Sequence, residues 1–313
     1  MYQKGAKLII RPPRHKYDFR SIPTNAEIPG FGPVERTSIA ITNSREETIF
    51  GSFYRAPNPV QNTCCIYMHG NASNQLEGRY IVSLFVPIGI SVFCFDFAGC
   101  GCSTGKYVSL GYFESKDVML IMSMLETDFH IEQFLLWGRS MGAAVSLMIG
   151  EKSEKIKGIV ADSSFMSIRS LISQLGKTKN LPEWFVKKSI KKVRKAIQEK
   201  ANFDIKKVRP LSGAEKLTKP VFFIHGDDDK FVLKKNSERM FEKCPSLVKE
   251  IRIVPGEHNS ERSQDTIMSA TEFLCRSVGI VISFRRPRQQ NPQQTSQNAN
   301  QHFNNIDDMI KKM

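Results

Sequence analysis

The pentapeptide Gly138-Arg139-Ser140-Met141-Gly142 constrains this chain more than any other stretch. Residues 133–137 before it form a short apolar run suited to a buried strand, and residues 141–149 after it suit a helix with a fully buried face. A strand that turns directly into a helix through G-x-S-x-G holds its central residue in strained backbone geometry, so the positions two residues either side must be small. Gly138 and Gly142 meet that need. The Ser140 hydroxyl then stands exposed at the sheet edge, and the Met141 N–H points from a helix N-terminus towards any oxygen bearing negative charge. A plain glycine-punctuated joint would use the same five residues, so the neighbouring chain has to decide between the two readings.

A chain of 313 residues with 41% hydrophobic content can bury one large core, and the length fits one domain with a lid and tails better than two separate domains. Its seven cysteines are an odd number. Cys64, Cys65 and Cys94 lie inside apolar runs, which suits reduced core thiols and a reducing, cytoplasmic setting rather than a disulfide framework. Only Leu8, Ile9 and Ile10 separate Lys7 from Arg11, too short an apolar run for a signal peptide or membrane anchor. The apolar stretch 80–97 is interrupted by Pro87 and Gly89 and reads as a helix end followed by a strand. The net charge of +14 invites a nucleic-acid reading, yet no zinc spacing, RNA-binding aromatic signature or helix-turn-helix pattern accompanies it. No nucleic-acid partner is expected. The basic excess is concentrated in residues 177–209 and 285–288.

Taken in order, residues 1–34 are rich in proline and basic residues and read as an extended N-terminal arm. Residues 34–42 and 48–54 alternate apolar and polar positions around turn-forming residues 43–46, the pattern of an antiparallel hairpin at a sheet edge. A continuous apolar strand over 63–68 ends in His69-Gly70-Asn71-Ala72. A helix over 76–86 and a strand over 90–95 follow, closing on the loop 96–103. Helix 112–126, strand 133–137, helix 141–150 and strand 158–161 then alternate. That alternation predicts a mostly parallel central sheet with helices on both faces. Gly99, Gly101 and Gly105 lack the lysine and serine of a phosphate-binding loop and read as a tight loop lining the site.

A serine hydroxyl is a poor nucleophile and needs a base within hydrogen-bond reach, with a third group fixing that base's tautomer. Six histidines are available. His69 and His225 stand at strand ends directly before glycine, where a structural hydrogen bond is expected, and His15, His130 and His302 fall in tails or a surface connection. His258 follows a strand over 250–254 through Pro255-Gly256-Glu257, a loop that opens onto the same sheet edge as Ser140. It is the candidate base. Asp227, Asp228 and Asp229 all follow the strand 221–224 and compete as the acid. The register favours Asp229, which can turn back across the sheet edge while Val232 packs the following helix. Asp162 is the fallback, though its plainer reading is a cap for Ser163 and Ser164. The second oxyanion donor, beside the Met141 N–H, is expected from the loop after strand 63–68, with the Asn71 N–H best placed.

His69-Gly70-Asn71-Ala72, Asp96-Phe97-Ala98-Gly99-x-Gly101-x-Ser103, the serine pentapeptide, Asp162-Ser163-Ser164-Phe165, His225-Gly226-x-x-Asp229-x-x-Val232 and Gly256-x-His258-Asn259 occur in this order. Together they resemble the α/β-hydrolase superfamily, more narrowly small serine hydrolases of the protein-depalmitoylase and prolyl-oligopeptidase-like types. The resemblance runs from about residue 35 to about residue 278 and also selects Asp229 as the acid. It implies an α/β-hydrolase fold over 35–283, with a helical lid inserted at about 163–210. Depalmitoylases of this kind often carry an N-terminal cysteine cluster, and this sequence has none; nor has it room for the propeller of the large related peptidases.

Within the insertion, Val186, Ile190, Val193 and Ile197 fall on one helical face, and Lys187, Lys188, Lys191, Lys192, Arg194 and Lys195 populate the rest. A lid helix whose apolar face covers the active site is the reading preferred, with Trp184 and Phe185 contributing to the cover. Weak contact with an anionic membrane surface is the alternative. Residues 284–313 are a Gln/Asn-rich tail expected to be disordered. The sequence thus leads to the expectation of a cytoplasmic serine hydrolase acting on an ester or thioester of an acyl-bearing small molecule or acylated protein. Ser140 is the nucleophile, His258 the base and Asp229 its orienter, with no metal or organic cofactor implied. A serine peptidase of the prolyl-oligopeptidase-like type and a non-catalytic basic adaptor are the rivals.

Overall fold

The computed structural model describes residues 6–7, 9–178 and 182–284. Its strands are β1 (Asn25–Ile28), β2 (Gly32–Thr42), β3 (Thr48–Tyr54), β4 (Thr63–Met68), β5 (Ser91–Phe95), β6 (Gln133–Arg139), β7 (Ile156–Asp162), β8 (Val221–Gly226) and β9 (Lys249–Val254). They form a nine-stranded sheet in the order β1-β2-β3-β5-β4-β6-β7-β8-β9. The pairs from β5 through β9 are parallel, whereas β1, β2 and β3 join by antiparallel pairing. Every residue of β4, β5 and β8 is buried. Burial on both faces explains why these strands read as continuous apolar runs rather than alternating ones.

The α-helices are α1 (Val82–Phe85), α2 (Glu114–Phe129), α3 (Met141–Ile149), α4 (Ile168–Thr178), α5 (Glu183–Ala201), α6 (Pro210–Ala214), α7 (Lys235–Lys243) and α8 (Gln264–Ser277). Successive strand residues feed two cores because side chains alternate across the sheet. Phe134 and Leu136 join Val118, Ile121 and Val145 of α2 and α3 on one face. Leu135 and Trp137 join Phe85 of α1 and Phe273 of α8 on the other. The register pairs Met68 with Gly138, Arg139 with Asp162 and Gly226 with Val254, so the C-terminal ends of the parallel strands come level along one edge. In open α/β sheets that edge is where ligands bind.

Three elements depart from expectation. The N-terminal 1–34 segment, read as an extended arm, is fastened to the domain where it is described. Asn25–Ile28 adds β1 outside the hairpin, so β2 is not the sheet edge. Ala6 and Ile10 are fully buried, the Tyr17 hydroxyl donates to Asp96 Oδ2 at 2.8 Å, and Arg14 reaches the carbonyls of Ser103 and Gly105. The single helix expected over 76–86 is a 3-10 turn (Gln75–Ile81), the short α1 and a second 3-10 turn (Val86–Ile88); Pro87, which has no N–H to give, keeps α1 from running on. In α5 the expected apolar face does face inward: Val186, Val193 and Ile197 are buried and Ile190 is half-buried. Trp184, however, is 66% exposed and does not cover the site. At 100° per residue it lies opposite Val186 and Val193, on the solvent side. The tail 285–313, expected to be disordered, lies outside the described residues.

Candidate active site

The turn from β6 to α3 places Ser140 at φ 50° and ψ −105°, a conformation that costs energy for any residue with a Cβ. It exists because backbones approach closely on both sides. A Cβ at Gly138 would lie 2.3 Å from the Gly142 carbonyl carbon, and one at Gly142 would lie 2.0 Å from the Met68 carbonyl oxygen. The Ser140 N–H is bonded to the Asp162 carbonyl at 2.7 Å, which ties the strained residue to β7. Met141 opens α3, so its N–H has no partner within the helix and is directed outward at the positive end of the helix dipole.

The loops after β8 and β9 converge on this serine. His258 Nε2 lies 2.9 Å from Ser140 Oγ, and His258 Nδ1 lies 2.6 Å from Asp229 Oδ2. The Asp229 side chain is fully buried and the His258 side chain is 12% exposed. Asp229 accepts further hydrogen bonds from the N–H groups of Phe231 and Val232 on Oδ1, at 3.0 and 2.7 Å. His225 Nε2 stands 3.1 Å from its Oδ2. Burial works against the Asp229 charge. The hydrogen bonds from His225 and His258, attraction to His258 and the Val232 N–H outweigh it and hold the carboxyl well below the usual carboxylate range. Facing a carboxylate, Nδ1 of His258 carries the proton, which leaves Nε2 free to accept from the serine.

The neighbouring acids stand elsewhere. Asp227 accepts from the Gly256 N–H at 3.1 Å, and Asp228 pairs with Lys230 at the exposed surface. Asp162 is held by Arg262 through two bonds of 2.8 and 2.9 Å, with both side chains nearly inaccessible to solvent. His69 and His225 bond within their own surroundings: His69 Nε2 accepts from the Phe97 N–H, and His225 Nδ1 accepts from the Ser237 hydroxyl. The loop after β4 turns beside the serine, with the Ser73 N–H on the Gly70 carbonyl and Ala72 at φ 68°. A Cβ on Gly70 would sit 3.8 Å from the Ser140 Cβ, so Asn71 follows a residue that packs beside Ser140. The Asn71 Oδ1 is buried with no hydrogen-bond partner among the described residues.

Three supporting groups were not found from the sequence. Arg139 Nη2 donates to the carbonyls of His258 and Ser260, which anchors the histidine loop to β6. Arg262 crosses from that same loop to Asp162. Phe231 sets its ring against the His258 imidazole at a centroid distance of 5.1 Å. The pairs that reach the histidine loop from β6 and β7 join residues about 100 or more positions apart, and nothing in the local pattern signals them. Chemically, the arrangement supplies a hydroxyl held on an imidazole, a buried carboxylate behind that imidazole, and an outward-facing N–H at a helix start. Among the described residues no cluster of three or more His, Cys, Asp or Glu could hold a metal ion.

Residues 60–211 match the family Hydrolase_4, described as serine aminopeptidase, S33. The Bacillus subtilis protein YqkD is 29% identical over 217 residues, covering 68% of this chain and 70% of its own length. The Saccharomyces cerevisiae membrane protein YNL320W is 30% identical over 200 residues, covering 62% of this chain and 64% of its own length. Among solved structures, the Pyrococcus furiosus esterase Pf2001 superposes with a TM-score of 0.64 at 21% identity, covering 86% of this chain and 97% of the esterase.

Proposed function

We propose that this chain, which has the α/β-hydrolase fold, is a serine hydrolase cleaving an acyl ester or thioester through an acyl-Ser140 intermediate. The observation that carries this reading is the continuous line from Ser140 Oγ through His258 to the buried Asp229, with gaps of 2.9 and 2.6 Å. In the first step Ser140 Oγ attacks the substrate carbonyl carbon while its proton passes to His258 Nε2. Asp229 stabilises the imidazolium that forms, and the N–H groups of Met141 and Asn71 receive the oxyanion. Collapse expels the leaving group, which takes the proton from His258, and leaves the acyl group on Ser140. Water then repeats the sequence, with His258 again as base and then acid, and releases the carboxylic acid. No step calls for a metal or organic cofactor.

The substrate is an acyl-bearing small molecule or an acylated protein or peptide, and the seven free thiols suit a reducing, cytoplasmic setting with no nucleic-acid partner. Burial pushes the Cys64 and Cys65 thiols well up, which suits core packing rather than redox work. No helix among the described residues is long and apolar enough to cross a membrane. A preference for a medium or long acyl chain over acetate is proposed on the apolar composition of the segment after β7, where Phe165, Ile168 and Leu171 follow Asp162. Each methylene buried contributes about 0.8 kcal/mol, so a few more carbons raise kcat/KM by roughly tenfold or more. The family description favours one second reading, an aminopeptidase. A panel of p-nitrophenyl acetate, p-nitrophenyl octanoate, an acyl thioester and a prolyl peptide amide separates the two. Octanoate or thioester turned over fastest is the expected result. Preference for the amide moves the assignment to a peptidase, and preference for acetate refutes an acyl-chain pocket.

A further inference from the structure

We infer that the outward face of α5 is a docking surface for an anionic lipid bilayer. Trp184, Lys188, Lys191 and Lys195 recur at helical spacing and form one stripe, opposite the face that carries Val186, Val193 and Ile197. All four stripe residues are exposed, and Trp184 is 66% exposed at the N-terminal end. The helix carries seven Lys and Arg residues against Glu183 and Glu199. Lys187 and Lys195 each have a glutamate partner on the helix at the surface, while Lys188 and Lys191 have no ion pair among the described residues.

The apolar face of α5 is already used. Val193, Ala196 and Ile197 belong to the main hydrophobic core, and Arg194 clasps Asp204 through two bonds of 2.7 Å. The helix is therefore presented as a fixed piece and does not turn its apolar side outward to insert. What remains is a stripe about 17 Å long of lysine stems ending in an indole. Such side chains lie along the headgroup region, with charges towards anionic lipids and the indole at the interface. A nucleic-acid groove would instead need several aromatic platforms or base-reading side chains, and the stripe has one aromatic. Attachment through charges and one indole is reversible and weakens with salt. The link to substrate rests on the serine-hydrolase reading: a bilayer is where long acyl chains reside.

The test uses the full chain with vesicles of phosphatidylcholine alone or mixed with phosphatidylserine. Sedimentation with the anionic vesicles only, reversed by 0.5 M salt, is expected, together with a blue shift of tryptophan emission. Trp184→Phe should abolish the shift, since Trp137 is 3% exposed and already shielded. Each lysine near the surface changes partitioning about fivefold, so Lys188→Gln, Lys191→Gln and Lys195→Gln together should lower it about 100-fold. Equal binding to neutral vesicles, unchanged binding of the triple variant, or displacement of the protein from vesicles by RNA of equal charge overturns the inference. The last of these assigns the stripe to a nucleic acid. Ser140→Ala should still sediment with anionic vesicles, and the triple variant should still hydrolyse a dissolved short-chain ester. Failure of docking and failure of the hydrolase reading are thereby distinguished.

Discussion

Replacing Asp229 by asparagine tests the local geometry closely, because every group around that carboxylate is a donor. His258 Nδ1 and His225 Nε2 face one oxygen, and the N–H groups of Phe231 and Val232 face the other. An asparagine has one oxygen and one NH2, so either orientation sets donor against donor. The orientation that keeps the two backbone N–H bonds turns the NH2 towards His258, which can then accept only by moving its proton to Nε2. An Nε2–H cannot take the serine proton. In proteases with the same constellation, a change of this kind lowers kcat by about four orders of magnitude, or about 5.4 kcal/mol of transition-state stabilisation. We expect a loss of that order for Asp229→Asn on p-nitrophenyl octanoate, measured as kcat/KM with the folded state checked by circular dichroism. Asp228→Asn, which alters only an exposed pair with Lys230, should stay within about twofold of wild type. Asp227→Asn keeps a carbonyl oxygen for the Gly256 N–H and loses only its charge, so it should cost about tenfold or less. Losses that are equal at all three positions, or retention of most activity in Asp229→Asn, refute the reasoning.

Two further predictions concern stability. Gly142→Ala drives a Cβ to within 2.0 Å of the Met68 carbonyl oxygen, where neither backbone can give, and should cost about 3 kcal/mol or more in urea melts. Gly70→Ala meets only ordinary contacts at 3.8 Å and should change the melt little; similar losses in both would refute the packing argument. Because the Asp229 carboxyl is held below its ordinary value, its ionised form contributes stability above about pH 4, and that contribution is lost as the pH falls further. The stability gap between wild type and Asp229→Asn should therefore narrow between pH 5 and pH 2.5, and a gap that widens on acidification contradicts the assignment.

Much of the fold is legible in the sequence because its central parallel strands β4, β5 and β8 are buried on both faces. The strands expected over 63–68 and 221–224 lie within β4 and β8, and the helix over 112–126 appears as α2 with its start moved to Glu114. The serine elbow is legible because two glycines are forced by backbone contacts less than 3 Å away. Choosing among Asp227, Asp228 and Asp229 needed register, and the structure sets Asp229 alone of the three beside His258. What escaped has a common cause. Tyr17 on Asp96, Arg262 on Asp162 and Arg139 on the histidine loop join residues 79 to 121 positions apart, and no periodicity records such contacts. Trp184 was misplaced for another reason: an aromatic next to an apolar stripe looks like part of it until its angle around the helix is taken.

The central claim is that Ser140 attacks an acyl carbon with His258 as its base. Mass spectrometry after exposure of the full chain to a fluorophosphonate probe addresses it directly. Wild type should gain one adduct, located by peptide mapping on Ser140, while Ser140→Ala gains none and His258→Ala labels at least about 100-fold more slowly. A folded wild type that does not label, or an adduct on any other residue, would contradict the account and return the chain to the reading of a non-catalytic adaptor.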